Sequence, residues 1–307
     1  MKLVVADAGA RTREDANRFR TRFARLLPAY LFIAPALAIL GLFVFLPLLT
    51  AVGLSFTSWN AVGAIRWAGL RNYQLMLADP TFARALWNTL VYTIGSASLG
   101  IAGALGLALL MNQRIPGIGA FRAVLFLPAL MSEVVCAMVF QWLYSTDLGV
   151  LNWLVTSMGF EPIPWLTSTR WAMFAVILMG AWVGAAYNAP IFLTGLQAIP
   201  PALYEAAALD GATPWQELRY ITLPALRPFM LYVLVMSGVG SFQVFGRIHV
   251  LTGGGPVDST LTCMPYIHRV AFSFNQMGYA SALSVALFAV LIGLSWLQMR
   301  VMREDHA

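Results

Sequence analysis

Charge is scarce in this chain of 307 residues: Asp, Glu, Lys and Arg together make up 10% of it. A soluble globular domain carries about 25% charged residues, so an ordinary water-facing surface is excluded. Cysteine is scarce as well. Cys136 is expected within an apolar span and Cys263 in a connecting loop, so no disulfide framework is implied. The three histidines, His249, His268 and His306, fall at span ends or beyond, and no metal-ligand set is expected. No His-Glu-x-x-His or Gly-x-Ser-x-Gly stretch occurs, which argues against an intramembrane enzyme. Gly253-Gly254-Gly255-Pro256 lacks the Lys-Ser/Thr that completes a phosphate loop, so this chain is not expected to hold a nucleotide.

What is abundant is apolar residues, 60% of the chain, with a mean hydropathy of +0.74. A hydrocarbon core of about 30 Å is crossed by about 20 apolar residues of helix. Six segments meet that length: Ala29 to Ala51, Trp87 to Met111, Phe121 to Tyr144, Trp171 to Gly195, Pro228 to Ile248 and Tyr279 to Met302. The expected fold is therefore all-α and polytopic, with six transmembrane helices over residues 28–304 and the lipid bilayer as much of its solvent. Pro35 and Pro47 predict kinks in the first span. The second repeats small residues at Ser96, Gly100, Gly103 and Gly106, a spacing that suits close helix packing or is merely a small-residue-rich stretch. Coupled internal repeats of the kind secondary transporters show are not evident.

The net charge of +6 invites a nucleic-acid reading, but the cations sit at span ends. With the N-terminus inside, thirteen of the 19 Lys and Arg fall on the cytoplasmic side; the outer side holds Arg66, Arg71, Arg84, Arg170, Arg247 and Arg269. This bias predicts a multi-pass protein of the bacterial or archaeal cytoplasmic membrane with both termini cytoplasmic. Residues 1–27 form a basic segment too polar for a signal peptide. Its Arg13, Arg18, Arg20, Arg22 and Arg25 interleave with Phe19, Phe23, Leu26 and Leu27, which suits a helix on the anionic inner leaflet or a partner site. Outer loops hold Trp59, Trp67, Trp153 and Trp165, either an interfacial aromatic belt or a surface for an external protein.

Between the fourth and fifth spans lies a polar, helix-capable stretch over 200–224. Pro200 and Pro201 suit a helix start, and Glu205 near that start is favoured by the helix dipole. Asp210-Gly211 predicts a turn. Thr213, Pro214 and Gln216 have the spacing of a capping box, opening a second helix to about Tyr220. The expectation is a cytoplasmic helix-turn-helix, either an ordinary amphipathic connection or a surface presented to a soluble partner.

The residues Gly195-Leu196-Gln197-Ala198-Ile199-Pro200, Tyr204-Glu205-Ala206-Ala207-Ala208-Leu209-Asp210-Gly211-Ala212 and Ile221-Thr222-Leu223-Pro224 closely resemble the EAA loop of permease subunits in binding-protein-dependent ABC importers. Val250-Leu251-Thr252-Gly253-Gly254-Gly255-Pro256, Gly278-Tyr279-Ala280-Ser281-Ala282 and the opening Ala34-Pro35-Ala36 resemble the carbohydrate branch, and within it the first permease of a maltose- or glycerol-phosphate-type pair. The resemblance covers most of the chain from about Leu26 onward. It implies a non-catalytic subunit that forms the pathway with a second homologous permease. An ABC ATPase dimer would bind ATP and Mg, and an extracytoplasmic binding protein would deliver solute. Glu205, Ala206, Ala207, Asp210 and Gly211 would then lie at the ATPase contact. The solute would be a sugar, with a glycerol phosphate derivative as the alternative.

A sugar pathway needs hydrogen-bonding groups and aromatic faces at membrane depth. The candidates are Glu133, Trp182, Tyr187, Asn188, Ser237, Ser241, Phe242 and Gln243. Glu133 is the one acid well inside a span, where an ionisable group is costly and faces a cavity or a partner. It is expected either protonated or paired with the second permease.

Overall fold

The computed structural model describes residues 30–113 and 115–304. The basic segment over 1–27, Arg114 and His306 lie outside the described residues. Contacts divide the chain into two compact units, Met1–Leu54 and Ser55–Ala307.

In the first unit an apolar helix runs through Pro35 and Pro47, and its full extent is Tyr30–Ser55 (α1). Its irregularity is a π turn at Gly41–Phe45, where the Leu46 N–H donates to the Gly41 carbonyl. Pro47 has no N–H for the carbonyl four residues back, so the ladder changes register just ahead of it.

The second unit starts with a two-stranded antiparallel ribbon, Thr57–Ser58 (β1) and Arg66–Trp67 (β2). A short helix, Arg71–Ala78 (α2), leads into the long helix Pro80–Met111 (α3). Asp79 caps α3: its Oδ1 accepts from the Thr81 N–H at 2.9 Å and the Phe82 N–H at 3.2 Å. The helix Ala172–Gln197 (α7) packs along α3 more extensively than any other pair. Small residues allow it. A methyl at Gly100 would meet the Ala181 carbonyl oxygen at 3.4 Å, and one at Gly103 the Ala185 Cβ at 3.1 Å. The repeat at Ser96, Gly100 and Gly103 is thus a packing seam, which ends before Gly106, where nothing lies within 4 Å.

The third apolar segment is not one helix, as expected over Phe121 to Tyr144. It is Ile118–Leu130 (α4) and Glu133–Leu143 (α5), bent by 100°. Pro128 removes a rung near the end of α4, and Met131 and Ser132 take extended backbone, ψ 146° and 136°. A short helix, Val150–Ser157 (α6), follows. Its Asn152 is buried and accepts from the Trp165 indole at 3.1 Å. Trp165 is therefore a core residue, while Trp67 and Trp153 are exposed.

After α7 come Pro201–Leu209 (α8) and Pro214–Ala225 (α9), then Arg227–Phe242 (α10) at 67° to α9. The fifth span expected over Pro228 to Ile248 is thus cut short at Phe242, and a separate helix, Gly246–Leu251 (α11), carries the rest. Cys263 opens another short helix, Cys263–His268 (α12), rather than lying in a loop. The last helix is Met277–Glu304 (α13).

Hydrogen bonds from α3 pin the connection before α12. Asn88 donates to the Asp258 and Leu261 carbonyls, both at 2.9 Å, and Thr89 Oγ1 accepts from the Cys263 N–H at 2.9 Å. Asp79 Oδ2 accepts from the hydroxyls of Tyr266 and Tyr279. Among the described residues, by length and composition, four helices suit a membrane, or up to six if each bent pair counts as one crossing.

Candidate functional site

Two features combine polar chemistry with deliberate shape: the α8–α9 pair and a cavity among the long helices.

The α8–α9 pair has the local form the sequence predicts. Pro200 is extended, with ψ 129°, and Pro201 opens α8. The helix closes with Asp210 as its cap and Gly211 at φ +75°, in the left-handed region. The Gly211 N–H donates to the Ala208 carbonyl at 3.1 Å and the Ala212 N–H to the Ala207 carbonyl at 2.9 Å. That is the Schellman pattern, which satisfies carbonyls the helix end would otherwise orphan. Thr213 then starts α9 with a reciprocal capping box, its N–H donating to Gln216 Oε1 at 2.7 Å and its hydroxyl accepting from the Gln216 N–H at 3.4 Å. Two details differ from expectation. Helical structure does not stop near Tyr220 but passes through a π turn at Leu218–Thr222 to Ala225. Glu205 stands fifth in α8, beyond the first turn, where the dipole falls off.

One side of the pair is anchored. The Tyr204 and Thr222 hydroxyls share a hydrogen bond of 2.9 Å, and Tyr204 and Ile221 pack against a core that includes Phe192, Leu196 and Leu226. The other side is open. Glu205, Ala206, Asp210 and Gly211 are exposed and Ala207 is half-buried. Leu209 is 91% exposed and Trp215 66%. The segment is rigidly capped yet leaves large apolar side chains uncovered, as a docking surface does.

The cavity has a volume of about 370 Å³ and is lined by α3, α7, α10, the end of α4 and the starts of α5 and α11. Of the eight expected pathway residues, Glu133, Tyr187, Asn188, Ser237 and Ser241 line it. Trp182, Phe242 and Gln243 do not. Trp182 packs on the Phe140 ring at 5.2 Å, Phe242 is buried in a separate core, and Gln243 caps α10. Helical geometry explains the split. Gly180, Gly184 and Asn188 recur every four residues on one face of α7, with Val183 and Tyr187 widening it, as do Ser237 and Ser241 on α10, with Met236 and Gly240; Trp182 and Phe242 fall outside these faces.

The same spacing on α3 brings in Tyr92, Ser96 and Gly100, and it was the signal that could have found them. Ser96 and Ser241 lie 3.3 Å apart, and Asn188 donates to Ser237 at 3.2 Å. Arg247 was missed because its position near a span end reads as an outer-loop cation. It lines the cavity, donating through Nε to Glu133 Oε1 at 2.6 Å and through Nη1 to the Tyr92 hydroxyl at 2.9 Å. Glu133 thus meets Arg247 of the same chain. Gly180 leaves room for this cluster, since a methyl there would sit 2.5 Å from the Tyr92 hydroxyl and 3.2 Å from Arg247 Nη1.

The Asp79 anchor at the start of α3 has its own electrostatics. Burial pushes the Asp79 carboxyl up, but hydrogen bonds from Tyr266, Tyr279 and the Phe82 and Thr81 amides outweigh it and hold its pKa below the ordinary value. Burial, then the bond to Asp79, pushes the Tyr266 phenol well above its usual range. Among the described residues no cluster of three or more His, Cys, Asp or Glu has metal-holding geometry.

Residues 100–303 match the family described as "Binding-protein-dependent transport system inner membrane component". The chain is 35% identical over 281 residues to the sulfoquinovosyl glycerol transport system permease protein SmoG of Agrobacterium fabrum, covering 91% of each chain. It is 31% identical over 291 residues to the trehalose/maltose transport system permease protein MalF of Thermococcus litoralis, covering 94% of this chain and 97% of that one. Among solved structures it resembles, at a TM-score of 0.81 and 25% identity, a chain of a bacterial ABC transporter involved in the import of the acidic polysaccharide alginate. That match covers 94% of this chain and 99% of the other.

Proposed function

The chain belongs to the binding-protein-dependent transport inner membrane component family, as a permease subunit of an ABC transporter, and from that premise we propose that it forms half of an ATP-driven import pathway for a sugar or sugar-like solute. The observation that carries the solute class is the cavity. It sits among apolar helices, yet its walls offer the hydroxyls of Ser96, Ser237 and Ser241, the Asn188 amide and the Tyr187 phenol. Such groups donate and accept hydrogen bonds as sugar hydroxyls do, and the relatives bear the names of glycoside and disaccharide systems.

On this reading the protein crosses the membrane six times, with the bent α4–α5 pair as one crossing, α10 as another and both termini cytoplasmic. Residues 28–304 form the permease domain, and residues 1–27 a basic segment at the inner leaflet. A second homologous permease completes the pathway, and an extracytoplasmic protein delivers solute. The α8–α9 pair, through Glu205, Ala206, Ala207, Asp210 and Gly211, docks on a partner ATPase that binds ATP and Mg. The exposed Leu209 and Trp215 support that role. Closure of the ATPase pair moves this lever, and rigid capping transmits the motion instead of absorbing it.

Co-expression and reconstitution test the proposal. The tagged subunit is expected to co-purify with an ATPase and a second permease, and proteoliposomes of the complex should take up sugar only with ATP and the binding protein. Solute movement by the purified subunit alone, without any ATPase, would sink it.

A further inference from the structure

We propose that the Glu133–Arg247 pair makes the cavity select an uncharged polyhydroxylated solute and reject anionic ones; this rests on the permease reading above. Glu133 and Arg247 supply the formal charges among the described lining residues, and they neutralise each other at 2.6 Å. The pair is held from several directions. Glu133 opens α5 directly after the extended Met131–Ser132 break, Arg247 is second in α11 after the break that ends α10, and Tyr92 of α3 accepts from the guanidinium. Irregular backbone at such depth is tolerated where it lines a cavity, and here both breaks serve to bring one acid and one base together.

The consequence for a solute is electrostatic. A neutral sugar meets walls that match its hydroxyls and carry no net charge. A phosphate, sulfonate or carboxylate that drew Arg247 away would leave the Glu133 carboxylate, 41% exposed, unpaired beside an incoming like charge, which is unfavourable. A cation would face the converse problem with Arg247. The glycerol phosphate class is therefore disfavoured at this site, and specificity for uncharged solute is built into the permease as well as into the protein that delivers it.

The test uses the complete importer. Thermal-shift screening of the cognate binding protein should yield uncharged sugars or polyols and no sugar phosphate. In proteoliposomes, E133Q and R247Q each leave one charge uncompensated and should lower ATP-driven uptake of that solute at least tenfold. The double variant E133Q/R247Q restores neutrality and should take up the solute at least threefold faster than R247Q. In nanodiscs without the binding protein, glucose 6-phosphate should displace the radiolabelled solute from E133Q at concentrations at least tenfold lower than from the native complex; a purely structural pair would leave that ratio unchanged. The proposal is overturned if the native complex carries an anionic solute, if the displacement ratio does not move, or if E133Q/R247Q is as impaired as R247Q. A native complex with no ATP-dependent uptake of any solute would instead sink the permease reading, and this inference with it.

Discussion

Gly211→Ala isolates the one backbone position on which the α8–α9 turn depends. Gly211 sits at φ +75° with nothing within 4 Å of a built Cβ, so an added methyl meets no neighbour and the cost is purely conformational. An L-residue in the left-handed region costs about 1–2 kcal/mol. Two hydrogen bonds, at 3.1 and 2.9 Å, close the turn, and at about 0.5–1.5 kcal/mol each they offset that cost by a similar amount. The variant turn therefore sits near balance between closed and open. Docking that requires the closed form sees only the closed fraction, so ATPase affinity should fall about two- to sixfold. Titrating purified ATPase onto the membrane-embedded permease pair measures it, and hydrogen exchange at the Ala212 amide should accelerate in step. The amount of inserted subunit should not change, because the site is exposed and far from the packed core. Gly211→Asn is the control: Asn tolerates this region and should keep the native affinity. Native affinity for Gly211→Ala, with unchanged exchange at Ala212, would refute the reasoning. Gly211→Asp should uncouple ATP-driven uptake while the subunit still inserts.

Other perturbations follow from specific contacts. Thr213→Ala removes the hydroxyl half of the capping box and keeps the backbone half, the residue 213 N–H to Gln216 Oε1; it should destabilise α9 by about 0.5–2 kcal/mol, read as faster exchange at the Gln216 amide. Gly180→Leu would drive a side chain into the Tyr92 hydroxyl; overpacking of this kind costs about 1–3 kcal/mol and should lower the thermal midpoint of the detergent-purified complex. Asp79 has a folded pKa below its ordinary 3.8, so its contribution is fully present above 3.8 and is lost as pH falls through the lower folded value. Asp79→Asn should therefore flatten the acid limb of the stability profile, and a limb identical to the native one would count against the anchor.

Local chemistry was legible in the sequence wherever it depends on neighbours in the chain. Pro201, Gly211, Thr213 and Gln216 specify caps and a turn within a dozen residues, and they form what their spacing predicts. The apolar segments were legible for the same reason, since length and hydropathy are summed along the chain. Helix interruption was less so. Pro128 marks the region of the α4–α5 break, but Pro190 stands inside an unbroken α7, so proline alone does not say which helix bends. The cavity residues divide in the same way. Polar groups within apolar segments were readable as candidates, yet Trp182 and Phe242 share that description and face elsewhere, because a single residue step rotates a side chain by about 100° around the helix.

The sequence by itself determined that this is a membrane-spanning chain with a capped polar pair between two apolar segments. Only the tertiary structure decided that Glu133 and Arg247, 114 residues apart, meet at 2.6 Å across two helix breaks. The physical reason is range. Hydropathy, caps and turns are local sums, whereas pairing of charges depends on how α3, α5, α7 and α11 pack, which the small seam residues at Gly100, Gly103 and Gly180 permit but do not spell out.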